Sequence, residues 1–339
     1  LSRRNLKHAH VMLTYNSFGE YLNKADIASF YGFTALRKMR GDAIIPYAND
    51  IFAFLNHKEA ADAFGEAARS GKEKDPSLVT YRIDALVSGR DFETALKEAR
   101  AARLDPALKD ESDLFYLEAY ALRGTGDEKG AAALVEGRLA SAADDTENTL
   151  SAAEFYQRGK NLARASELFA RVAKQDPKNM RALFGLGSAL ERQKRFDEAE
   201  QAFRKALVIS PDSAITLNYL GYMNANRNVR VAEALTLIEK ALKHDPENGS
   251  YLDSLAWALH RLGRNSESEA AIRKAYQTQE TSAVVIAHLG LILAENGKSA
   301  EALKYLQLAL ETADEDGELD RALVEKKIQT LQRAAQKKP

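Results

Sequence analysis

No cysteine occurs in the 339 residues, which excludes disulfide frameworks, thiolate nucleophiles and cysteine-based zinc sites. Proline is scarce, with 7 residues, and 19 glycines leave little room for disordered linkers, so the chain should fold along its whole length. Neither sign of charge is in excess: 48 Lys+Arg stand against 49 Asp+Glu, and a formal charge of −1 creates no field to draw nucleic acid. Long hydrophobic runs are missing as well. The longest, Val284 to Ala294, is broken by His288 and falls short of the ~18–20 residues that cross a bilayer, so no transmembrane span is expected. The chain opens at Leu1 and its first methionine is Met12, so any export signal or lipid anchor is expected ahead of the first residue.

A length far above roughly 150 residues implies either several globular domains or a repeat array that lengthens without thickening its core. The prolines favour the array. They fall at 46, 76, 106, 177, 211, 246 and 339, giving intervals of 30, 30, 71, 34, 35 and 93, and the 71 reads as two periods with one proline missing. A period near 34 is that of a two-helix solenoid repeat. From Met180 the repeat reads Leu183-x2-Leu186-Gly187-x2-Leu190, then Ala199-x3-Phe203-x2-Ala206, then Pro211. Offsets of 3, 4 and 7 put each set on one helix face. Gly187, Ala199 and Ala206 are small where two axes must approach to about 8–10 Å, while Leu183, Leu190 and Phe203 fill the remaining volume.

The same pattern recurs upstream as Ala153, Tyr156, Ala165, Phe169 and Pro177. Downstream it returns as Leu217, Leu220, Gly221, Ala234, Ile238 and Ala241, then Leu252, Leu255, Ala256, Leu259, Ile272 and Ala275, then Ile286, Leu289, Gly290, Leu293, Ala302 and Leu306. A sixth repeat carries Phe115, Ala119, Leu122, Ala131 and Val135. The expected organisation is N-terminal helices over 1–45, divergent short units over 46–111, and six repeats at 112–145, 146–179, 180–213, 214–248, 249–282 and 283–316. A capping helix over 317–339 follows, with Leu319, Leu323, Ile328 and Leu331 on its apolar side.

This pattern resembles the tetratricopeptide repeat, whose W-x2-L-G-x2-Y…A-x3-F…P motif is met at every position except that Leu183 and Leu190 replace the aromatics. The resemblance implies an all-α fold, a right-handed α-α superhelix of about eight helix pairs with terminal helices. It also implies that first helices line a concave groove and second helices form the outer wall.

No motif anchors an enzyme. Gly-x-Ser-x-Gly, Walker and His-Glu-x-x-His sequences are all absent, and Gly185-x-Gly187 lacks the preceding strand and third glycine of a phosphate-cradling loop. His8 and His10 are two apart, so a helix would point them to different sides, and no further ligand lies nearby. Asn248-Gly249-Ser250 reads as a helix cap more than a glycosylation acceptor, and Asp314 to Glu318 as a solvated turn more than a calcium loop. No catalytic residue, cofactor or metal is expected.

The groove remains. If positions 4, 7, 8 and 11 of a repeat pack on the partner helix, positions 2, 5, 9, 12 and 13 form a neighbouring stripe. That stripe nominates Tyr116, Tyr120 and Arg158, then Phe184 and Arg192, then Asn218 and Tyr222, then Asp253, Trp257, His260 and Arg261. Aromatic, arginine and asparagine side chains are the composition of interaction hot spots. The competing reading is that Phe184, Tyr222 and Trp257 pack between neighbouring first helices. The lysine and asparagine set with which some family members clamp a chaperone tail is not matched, because Asn218 lacks the lysines beside it. The expected function is a non-enzymatic scaffold or adaptor for a protein or peptide, centred on residues 184–261. Replacing Tyr222, Trp257 and Arg261 by alanine should weaken capture. The alternative is a structural module that self-associates through an apolar terminal face. Residues 217–222 and 251–259 look like a repeat variant common in bacterial envelope scaffolds, which suggests the periplasm or cell envelope, with the cytoplasm as the alternative.

Overall fold

A computed structural model describes residues 57–70, 76–108, 111–142, 144–279, 282–313 and 319–336. The helices expected over 1–45, the His8/His10 pair and the acidic turn at 314–318 lie outside the described residues. Among the described residues every regular element is an α-helix. The chain divides into two compact units, Leu1–Gly159 and Lys160–Pro339. The first holds α1 (His57–Ser70), α2 (Pro76–Ser88), α3 (Phe92–Leu104), α4 (Ser112–Gly124), α5 (Glu128–Ser141) and α6 (Thr146–Arg158). The second holds α7 (Leu162–Gln175), α8 (Met180–Arg192), α9 (Phe196–Ile209), α10 (Ala214–Asn226), α11 (Val231–His244), α12 (Gly249–Arg261), α13 (Asn265–Thr278), α14 (Ala283–Glu295), α15 (Ser299–Thr312) and α16 (Arg321–Gln336).

From α8 to α15 the helices alternate between 13 and 14 residues. Local chemistry sets these lengths. The shorter, first helices open on side-chain caps: Asn179 accepts from the Ala182 amide, Asn248 from those of Ser250 and Tyr251, and Ser282 from that of Val285. They close on a left-handed residue that turns the chain back, and Lys194, Asn228, Gly263 and Gly297 hold that position with φ of 62°, 56°, 72° and 78°. The next amide then reaches five residues back to a helix carbonyl, as Arg195 to Leu190, Arg264 to Leu259 and Lys298 to Leu293, satisfying acceptors the helix leaves open.

Inside each hairpin the second helix fills the space the first leaves. A β-carbon on Gly187 would stand 2.6 Å from the Phe203 ring, one on Gly221 2.7 Å from Ile238, and one on Gly290 2.7 Å from Leu306. Gly185 serves the junction between repeats, since Phe169 of α7 would stand 2.5 Å from its β-carbon. These contacts build a layered apolar core in the C-terminal unit that runs on through Ile272, Ile286 and Ile292 to Val324 and Leu331 of α16. In the N-terminal unit Phe64, Leu78, Ile83, Ala95 and Leu114 form the corresponding core. Along the second helices of the C-terminal unit, carboxylates bridge neighbouring repeats: Glu269 accepts from Arg273, Asn296 and Lys298, and Glu301 from Arg273.

The apolar side of α16 departs from expectation. Leu323 is 44% exposed, and Val324, one residue on, is the buried side chain. One residue is a rotation of about 100° on a helix, enough to exchange a buried position for an exposed one. Leu331 is buried, and Leu319 and Ile328 pack partly on the core. The outer side of α16 carries Arg321, Glu325, Lys326, Gln329 and Arg333, all exposed.

Candidate functional site

First helices of successive repeats lie side by side, so the stripe nominated from sequence falls on one layer within each unit. In the N-terminal unit that layer contains α4 and α6. Tyr116 is buried, its hydroxyl 2.7 Å from both the backbone carbonyl and Oδ1 of Asn148, and burial raises its phenol's pKa. Tyr116 is thus a tie between helices and not an open-face residue. The half-buried Tyr120 ring packs on Phe155, 5.3 Å away, beneath the guanidinium groups of Arg123 and Arg158. Arg123 also donates to the Phe155 carbonyl at 2.8 Å, and Arg158 is exposed.

In the C-terminal unit the layer contains α8, α10, α12 and α14. Phe184 is half-buried, edge-on to Tyr219 at 5.0 Å and 5.9 Å from the Phe203 ring. Tyr219 and Ile215, which the stripe did not include, are 40% and 49% exposed. Arg192 is exposed. Asn218 is buried, and its Oδ1 has no hydrogen-bond partner among the described residues.

The densest cluster joins α10, α12 and α14. Asp253 is buried and its Oδ1 lies 2.8 Å from Nδ1 of His288, which sits on the next first helix. The Trp257 indole stacks on that imidazole at 4.3 Å and 18°. The Tyr222 ring lies 6.3 Å from His288, and His260 lies 5.2 Å from Trp257. Arg261 holds its guanidinium 4.8 Å over the indole while donating to the Asn226 carbonyl at 3.2 Å. Burial, with a further contribution from neighbouring Arg261, lowers the pKa of His260 and favours its neutral form.

Structure therefore divides the stripe by depth. Positions 5 and 9 pack between neighbouring first helices, leaving Asn218 and Asp253 buried and Trp257 only 5% exposed. These side chains cannot meet a partner directly, which corrects their assignment as open groove residues. Position 13 projects outward and presents Arg192, Asn226 and Arg261. The stripe also missed His288. Its only signal was that it alone interrupts the apolar run from Val284 to Ala294.

Among the described residues no group of three or more His, Cys, Asp or Glu side chains is arranged to hold a metal ion. No described helix is long and apolar enough to cross a membrane. A layer of locked aromatic rings edged by exposed cationic and amide heads is suited to non-covalent recognition, and the hairpin array that carries it defines a helical-repeat scaffold of the kind that binds proteins.

Comparisons with known proteins agree. The tetratricopeptide repeat family matches residues 149–214, 227–283 and 283–316. Those stretches of the chain are tetratricopeptide repeats. It is 32% identical over 138 residues to a TPR repeat-containing protein of Pseudomonas aeruginosa, covering 41% of this chain and 23% of that one. It is 26% identical over 193 residues to the protein FlbA of Caulobacter vibrioides, covering 56% and 32%. The chain thus spans less than a third of the length of these curated relatives. A crystal structure of a tetratricopeptide repeat protein from Parabacteroides merdae superposes with a TM-score of 0.57 at 16% identity, covering 76% of this chain and 98% of that one. At that identity the likeness establishes the all-α repeat fold alone.

Proposed function

We propose that the chain is a non-enzymatic scaffold that holds an extended or helical segment of a protein partner on the first-helix face centred on residues 184–261. The observation that carries this reading is the row of exposed heads, Arg192, Asn226 and Arg261, set beside rings already fixed by Phe184–Tyr219 and Trp257–His288 contacts. Pre-fixed rings lose little freedom on binding, and arginine recognises carboxylates and carbonyls. Self-association through the C-terminal face lacks comparable support, because the exposed side of α16 is largely polar.

The alanine set suggested by sequence needs revision before use. Trp257 is buried, and truncating a buried tryptophan costs about 3–5 kcal/mol of stability, so its loss would report folding. Arg192→Glu with Arg261→Glu and Tyr219→Ala changes exposed groups instead. Pull-down from lysate of the source cells should lose the partners captured by the wild-type chain, with helicity unchanged by circular dichroism. Undiminished capture by this variant removes the reading. A bacterial envelope or periplasmic location belongs to the same proposal, supported by the local resemblance at 217–222 and 251–259. Recovery of the native protein in the cytoplasmic fraction would remove that part.

A further inference from the structure

A second surface lies on the second-helix side of the C-terminal unit. Helices α7 and α9 both pack against α8, and the short turns at 176–179 and 193–195 set each antiparallel to it and so parallel to one another. Between them is a cleft of about 820 Å³, within the ~300–1,000 Å³ of clefts that hold ligands. Half-buried Leu186 of α8 forms its floor, above the buried Leu183 and Leu190. Its walls are low: α7 contributes Ala170 and α9 contributes Ala202, and Val208 at the lip is 82% exposed.

Two properties of the cleft select what can enter it. The main chain of both walls is helical, so the walls offer no row of open amide and carbonyl groups to an extended strand. A segment that enters must bring its own backbone hydrogen bonds satisfied, which a helix does. Short alanine side chains also let a third helix axis come within about 8–10 Å.

Charge then orients it. Toward the N-terminal ends of the walls the charges are paired internally, Arg195 with Glu198 at 2.6 Å and Arg164 with Glu167 at 2.8 Å. Lys174 and Lys205, in the C-terminal halves of their helices, line the same cleft and make no ion pair among the described residues. The opening therefore has an uncompensated cationic end.

We propose that this cleft is a second docking surface, separate from the first-helix face, and that it takes an amphipathic helix of a partner protein. The apolar stripe of that helix lies on Leu186, Ala170 and Val208, and its acidic residues face Lys174 and Lys205.

The test uses a displayed library of amphipathic helical peptides selected on the wild-type chain. Each enriched peptide is titrated against three variants of exposed residues: Ala170→Glu, Lys174→Glu with Lys205→Glu, and Arg192→Glu with Arg261→Glu. Thermal melts establish that all three fold as the wild type does. Enriched peptides should carry Asp or Glu along one edge and lose affinity by about tenfold or more on the first two variants. They should bind the third within about twofold, and changing their acids to lysine should restore binding to the double charge reversal. The proposal falls if no peptide is enriched, or if enriched peptides bind the cleft variants as well as the wild type. It falls equally if sedimentation shows a wild-type dimer that Ala170→Glu dissociates, since a second copy would then be the occupant.

Discussion

Oδ1 of Asp253 and Nδ1 of His288 stand 2.8 Å apart inside the first-helix layer, joining α12 to α14 across a repeat boundary. The carboxylate accepts, so Nδ1 carries the proton and the ring is held in the plane on which Trp257 stacks. One hydrogen bond thereby fixes the aromatic layer at a junction between repeats, which in a linear array is where cooperativity resides.

Asp253→Ala should destabilise the fold by about 1–3 kcal/mol, because it leaves a buried donor without an acceptor, both residues being 7% exposed. His288→Ala also removes the stacking partner of Trp257. The double variant should cost less than the two single losses added, since both remove the same bond. Urea unfolding followed through the fluorescence of Trp257, the sole tryptophan, measures all three. Strict additivity would show that the bond contributes nothing.

Acid should loosen the second-helix side through Glu269. Burial alone would raise its carboxyl, but hydrogen bonds from Lys298, Asn296 and Arg273 together outweigh burial and hold it at about 2, against an ordinary value of 4.5. A carboxyl lowered in the fold contributes stability that is fully present above its unfolded value and is lost as pH falls toward its folded value. The loss should therefore run from about pH 5 down to about pH 2. Glu269→Gln should flatten the stability profile across that window in denaturant melts, and an unchanged profile would contradict the assignment.

Much of the fold was legible because small residues recur where helices must touch. Gly187, Gly221 and Gly290 are readable in a bare sequence, since few other constraints place glycine inside a helix at a spacing near 34. The candidate site was legible only in direction. Periodicity says which side of a helix Trp257 or Asn218 occupies, but not how closely the next first helix covers it, and burial follows from that distance. The Leu323/Val324 exchange has a similar origin, because two adjacent apolar residues leave the facing one undetermined until neighbours are in place. His288 gave almost no signal: its partner Asp253 lies 35 residues away, and nothing in local sequence pairs them.

Two glycine-to-alanine substitutions should act with opposite sign. Gly187 and Gly137 both lie within helices, α8 and α5, where alanine is intrinsically favoured by about 1 kcal/mol. Among the described residues nothing lies within 4 Å of the β-carbon that Gly137→Ala would add, so the propensity gain should appear nearly whole, as a stabilisation of roughly 0.5–1 kcal/mol. At Gly187 the new carbon would stand 2.6 Å from Phe203, a fully buried ring packed with Leu190, Ala199 and Leu220 and with no room to retreat. Overpacking of this kind costs about 1–3 kcal/mol, which exceeds the propensity gain at most of that range, so Gly187→Ala should destabilise. Ala199→Leu presses on the same hairpin from the second helix, where Ala199 has no exposed surface, and should also cost about 1–3 kcal/mol. Thermal melts of the three variants decide the matter. A neutral shift for Gly187→Ala or Ala199→Leu would mean that the hairpin can open its axes without penalty, and that small residues are not what sets the repeat.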